Sequence, residues 1–188
     1  IKVAEGGVAV KAVDGAEVNV KGSITGDLVT AKAQTRAMFA LRNAAESNLT
    51  VINYDVDGEF NGNYIGDADS MLNLTATKGN AWNGNILADS RANVTLAGGN
   101  WTGAHYGSEL NLNISKGSIW TNTNEGETII NELNGAASKS QGNVGTIRMY
   151  ETDAEGNSTG FGNIVVENYN GSVIFDYALN GEVTQPIE

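Results

Sequence analysis

The residues of this chain that could do chemistry are few. His105 is the only histidine, and a hydrolytic triad needs a histidine base beside a serine and a carboxylate. No Gly-Asp-Ser-Gly motif accompanies it. Its neighbours Ala104, Tyr106 and Gly107 read as a corner of the chain, which predicts a solvated loop histidine. The acids gather in two places, Asp55-Val56-Asp57-Gly58-Glu59 and Asp67-Ala68-Asp69. Alternation along a strand would put Asp55 and Asp57 on one face, where paired carboxylates could hold calcium or cleave a glycosidic bond. Asp-x-Asp-Gly is the first half of a calcium loop, but the downstream ligands of such a loop are missing. Asn-Thr-Asp, Gly-His-Gly and Arg-Ile-Lys, the signatures of polysaccharide-cleaving enzymes, are absent as well. Solvated turn carboxylates are the expected reading, with structural calcium and a glycosidase site as its rivals. Neither an enzyme activity nor a cofactor is expected.

The elements that would position these residues show up in a fixed interval. Trp82, Trp101 and Trp120 are the only tryptophans, and they stand 19 residues apart and then 19 again. A period near twenty marks a solenoid, in which each coil buries its apolar face only against its neighbours. Before each tryptophan runs an alternating stretch: Leu72-Asn73-Leu74-Thr75, Val94-Thr95-Leu96 and Leu110-Asn111-Leu112-Asn113-Ile114. Period two sends Leu, Val and Ile to one face and Asn and Thr to the other, as a strand requires. Glycines follow, as in Lys78-Gly79, Gly98-Gly99 and Lys116-Gly117, and then the aromatic position. Each coil therefore reads strand, glycine turn, strand. Leu49-Thr50-Val51 with Phe60, and Val18-Asn19-Val20 with Ile24, repeat this frame earlier, so Phe60 and Ile24 take the tryptophan's place. One aromatic per coil at fixed phase predicts an internal stack of Phe60, Trp82, Trp101 and Trp120, in preference to a sugar platform. Asn73, Thr95 and Asn111 are expected to stack as a side-chain ladder on the outer face. The sequons at Asn48, Asn73, Asn93, Asn113, Asn157 and Asn170 follow from the same Asn/Thr alternation. The stretch Ala31 to Glu46 departs most from the idiom, and a loop leading into a strand at Met38–Asn43 is expected there.

Composition fits this reading. The chain has 188 residues, 24 Gly, one Pro and no Cys. Gly and Asn tolerate the left-handed backbone of tight turns, and proline would remove ladder donors from a central strand. About seven to nine coils would make a rod on the order of 40 Å long. A net charge of −11 with 11 basic residues argues against nucleic acid and against an anionic membrane surface. No apolar run is long enough for a spanning helix, and no signal peptide opens the chain, which begins at Ile1 and reads as a piece of a larger protein.

The coil pattern, apolar-Asn/Thr-apolar then a glycine turn and Trp-x-Gly, resembles the passenger domain of bacterial autotransporters. The C-terminal third adds Gly117-Ser118-Ile119-Trp120, Ile129-Ile130-Asn131-Glu132-Leu133-Asn134-Gly135 and the run from Phe161 to Phe175. These are similar to that family's autochaperone segment, and the resemblance assigns such a role to Trp120, Leu133, Phe161, Val166, Tyr169, Gly171 and Phe175. It implies an all-β, right-handed, three-stranded parallel β-helix with a C-terminal β cap. Residues 1–119 would be coils of the passenger, and 120–188 the last coils and cap of one continuous solenoid. The segment Gln141 to Gly160 is longer and more polar than a minimal cap loop, and the linker helix and β-barrel that the resemblance would place after Glu188 lie outside this sequence.

The expected function is then that of a non-enzymatic adhesin on a Gram-negative cell surface, promoting adhesion, aggregation or biofilm, whose C-terminal segment nucleates folding. Its partner would be itself or a cell-surface glycan or protein, with membrane attachment only through a barrel outside this sequence. Asp55, Asp57, Asp67, Asp69, Asn73, Thr95 and Asn111 are the expected contact face. An inert stalk and a polysaccharide-active enzyme remain the alternatives.

Overall fold

A computed structural model describes residues 1–30, 49–87, 89–140, 142–152, 158–160, 162–179 and 182–183. The stretch 31–46, with its expected strand at 38–43, lies outside the described residues, as does Phe161. None of the described residues is helical. The chain winds as a parallel β-helix whose coils follow one another in sequence: β1 (Val8–Ala12), then β2 (Glu17–Thr25) with β3 (Asp27–Thr30), and β4 (Thr50–Asn61) with β5 (Tyr64–Ile65). Next come β6 (Ser70–Thr77) with β7 (Ala81–Asn83), β8 (Arg91–Ala97) with β9 (Asn100–Thr102), and β10 (Glu109–Ser115) with β11 (Ile119–Thr121). After β12 (Thr128–Asn134) and β13 (Gly145–Arg148) comes an antiparallel pair, β14 (Tyr150–Thr152) and β15 (Ser158–Gly160). The last coil is β16 (Ile164–Asn170) with β17 (Val173–Asp176), and the hairpin β18 (Ala178–Leu179) and β19 (Glu182–Val183) follows it.

Three faces result. The first half of each coil pairs in the order β2-β4-β6-β8-β10-β12-β16, all parallel. The second face joins the end of β4 to β7, β9, β11, β13 and β17. The third consists of β1, β3 and β5 and continues as single-residue bridges from Tyr64 to Ile86 and from Ile86 to His105.

Alternation decides what faces in. In β6 the residues Ser70, Leu72, Leu74 and Ala76 are buried while Met71, Asn73 and Thr75 look outward. Neighbouring coils stack like on like: Val20, Tyr54, Leu74, Val94, Leu112, Leu133 and Tyr169 form one inward column. The aromatic column runs Ile24, Phe60, Trp82, Trp101, Trp120 and Ile147. Its rings lie nearly parallel, with centroids 5.4 Å apart for Phe60–Trp82, 4.7 Å for Trp82–Trp101 and 4.4 Å for Trp101–Trp120.

A buried indole N–H needs an acceptor, and the repeat supplies one. Trp82 donates to the carbonyl of Gly62 at 2.9 Å, Trp101 to that of Gly84 at 2.8 Å and Trp120 to that of Gly103 at 3.0 Å. The glycine two residues beyond each aromatic therefore serves the tryptophan of the next coil. A Cβ on Gly84 would overlap the carbonyl of Gly62, and one on Gly103 that of Gly84, so no other residue fits where coils approach this closely. After Trp120 the pattern stops: Asn122 replaces glycine, and the next coil offers Ile147, whose side chain has no N–H to satisfy.

Candidate interaction face

The outward positions of the first face form axial columns of polar side chains. Asn19, Asn53, Asn73, Asn93 and Asn111 occupy one register position on β2, β4, β6, β8 and β10. Each amide donates to the carbonyl oxygen of the one before: Asn53 to Asn19 at 3.0 Å, Asn73 to Asn53 at 2.8 Å, Asn93 to Asn73 at 2.8 Å and Asn111 to Asn93 at 2.9 Å. The expected ladder of Asn73, Thr95 and Asn111 therefore needs correction. Thr95 belongs to the adjacent column with Lys21, Asp55, Thr75 and Asn113, whose amide donates to Thr95 Oγ1 at 3.3 Å. The inward residue that sets this register is Ala92, opposite Leu72 and Leu110, too small to be read as core in the sequence.

The asparagine ladder ends where the backbone changes. In β12 both Asn131 and Glu132 fall between the buried Ile130 and Leu133, so an extra residue is accommodated there, as in a β-bulge. Glu132 thereby takes the position opposite Asn111, and Asn131 Oδ1 accepts the Leu110 N–H at 2.9 Å. β16 repeats the arrangement, with Val166 over Ile130 and Tyr169 over Leu133.

The acids are dispersed. Asp55 and Asp57 are exposed on β4, whereas Asp67 holds a turn, its Oδ1 accepting the Asp69 N–H at 3.1 Å and the Ser70 hydroxyl at 2.7 Å. Among the described residues no group of three or more His, Asp or Glu could hold a metal ion. Arg91 pairs with Glu109 at 2.8 Å and also donates to the Ala68 carbonyl.

His105 is not the solvated residue its neighbours suggested. It lies on the third face and is 3% exposed, and burial pushes its pKa down from 6.5 to about 4. Its Nδ1 accepts the Gly107 N–H at 3.4 Å, and the Asn124 amide donates to its carbonyl. The sequence misled because a single bridging residue is too short to leave an alternating pattern. A further device leaves no sequence signal: Asp27, Asn63 and Asn85 line a corner where each side-chain oxygen accepts a backbone N–H one coil onward, those of Asn63, Asn85 and Ala104.

The segment assigned by resemblance to folding forms the last coils. Trp120 ends the ring stack, Leu133 is buried, Val166 is half-buried, and Phe175 sits over Ile147. Gly171 has φ +84° and packs against the Gly135 carbonyl. Tyr169, 48% exposed in the final coil, accepts the Val173 N–H through its hydroxyl.

Compared with known proteins, the chain matches no family model, no curated protein and no solved structure.

Proposed function

We propose that this chain is a non-enzymatic surface rod that works by adhesion, presenting its first outer face sideways to an identical rod or to a cell-surface glycan or protein. The observation that carries the reading is the outer face itself, where polar side chains stand in axial columns held by hydrogen bonds from coil to coil. Such columns offer many weak polar contacts over a long side, and multiple copies on a surface would convert them into firm attachment. Display by a Gram-negative cell, as an autotransporter passenger whose last two coils nucleate folding, belongs to the same proposal. It is supported by the Trp-x-Gly repeat and the paired β12 and β16 segments.

The test is display of the chain on cells that do not otherwise clump. Wild type is expected to promote clumping or attachment to a partner surface, and Thr75→Glu with Thr95→Glu to abolish it without lowering the melting temperature. A displayed and folded wild type that neither clumps cells nor attaches them would leave only a stalk.

A further inference from the structure

The N-terminal part of the first outer face is not flat. Asn19, Lys21, Asn53, Asp55, Asn73 and Thr75 line a trough of about 330 Å³ that crosses β2, β4 and β6. We propose that this trough is a docking site for a neutral, hydroxyl-rich polysaccharide chain lying along the rod axis; the assignment rests on the adhesive reading above and names its partner.

Three features favour that occupant. The first is hydrogen-bonding capacity. A carboxamide carries two N–H donors and two acceptor lone pairs. Asn73 uses one N–H toward Asn53 and accepts one from Asn93, so a donor and an acceptor remain for a ligand. Asn53 spends both N–H groups, on Glu17 at 2.8 Å and on Asn19, and keeps acceptor capacity. A sugar hydroxyl, which both donates and accepts, meets either kind of rung.

The second is charge. Lys21 and Asp55 are register neighbours, and neither head group pairs with a described residue. One unspent cation beside one unspent anion gives a locally neutral floor that can donate to and accept from hydroxyls. Glu17 and Asp57 nearby, with a chain charge of −11, oppose a polyanion.

The third is shape and repeat. The trough runs across rungs spaced by roughly 4.8 Å, so a thin linear chain meets a fresh set of groups at each step. No exposed aromatic lines the trough, because Tyr54 is buried with its hydroxyl bonded to the Gly22 carbonyl. Each rung therefore binds weakly, and strength comes from summing contacts over the three rungs.

The test is titration of the isotope-labelled chain with neutral glucan, mannan and N-acetylglucosamine hexasaccharides, with a uronic acid hexasaccharide for comparison, followed by side-chain amide NMR. At least one neutral oligomer is expected to shift the Asn19, Asn53 and Asn73 amides, with little dependence on salt. Asp55→Ala with Thr75→Val is expected to weaken it about tenfold or more while leaving the melting temperature unchanged. No shift with any neutral oligomer, shifts confined to other residues, or binding of the uronate alone that salt abolishes would overturn the assignment. So would movement of the same amides on raising protein concentration without sugar, which would make a second copy the occupant. Cells that clump although no oligosaccharide binds would sink the trough assignment and spare the adhesive reading.

Discussion

Replacing Gly84 with alanine adds one methyl group at the closest approach between two coils. That methyl would overlap the Gly62 carbonyl and lie 2.9 Å from Trp82 Nε1. The coils must separate, or the Trp82 indole must turn and give up its bond to Gly62. Forced overpacking in a dense interior costs about 1–3 kcal/mol. Stranding a buried N–H adds about 1–3 kcal/mol. Because both arise from one displacement they overlap, and a loss of about 2–4 kcal/mol is expected. Gly79→Ala is the comparison: its added methyl would touch nothing within 4 Å, but the residue has φ +88°, so only backbone strain of about 1 kcal/mol is expected. Urea unfolding followed by tryptophan fluorescence and by near-UV circular dichroism measures both. If Gly84→Ala proved as stable as wild type, or no worse than Gly79→Ala, the coupling of each indole to the glycine of the preceding coil would be refuted.

Three more outcomes follow from the same geometry. His105 is neutral and buried with a pKa near 4 against 6.5 when unfolded, so its contribution is complete above about pH 6.5 and is lost as pH falls toward 4. Over that window wild type should lose up to about 3 kcal/mol more than His105→Asn does in parallel denaturant titrations. Asn73→Ala removes two ladder bonds on a half-buried face and is expected to cost about 1–2 kcal/mol; an unchanged urea midpoint would make the ladder decorative. Glu109→Gln breaks an ion pair whose side chains are about one-third exposed, so the cost should stay below about 1 kcal/mol and shrink in salt, as thermal melts at two ionic strengths would reveal.

The fold was legible where a residue type is rare and its position is repeated. Three tryptophans at equal intervals give the period, because the three indoles occupy the same register position in successive coils. The alternating Leu-Asn-Leu-Thr runs give the strands and their inward face. Register was harder to read: Ala92 faces the core between two leucines, yet alanine carries little hydrophobic signal, so Thr95 was placed one column away from its true neighbours. The resemblance implies a third strand per coil, but its members could not be located from the pattern, since Ile86 and His105 pair as single residues and one residue has no period. The trough also lay beyond the sequence, as it depends on which side chains of β2, β4 and β6 come abreast, and the long segment between β3 and β4 hides that alignment. Asp55 and Asn73 belong to the expected contact face, but their meeting with Lys21 appears only in three dimensions.

The contacts described above share one property: nearly every one joins a residue to its counterpart a single coil away. Excising one full period, Ile86 through Ala104, would therefore bring Trp120 over Trp82, hand the carbonyl of Gly84 to the indole of Trp120 and set Asn111 upon Asn73. The indole and asparagine bonds that are severed each have an equivalent waiting, and the Arg91–Glu109 ion pair is lost. Length is thus a quantity that recombination can change by whole units without redesigning any junction, so reach can evolve separately from whatever the rod touches.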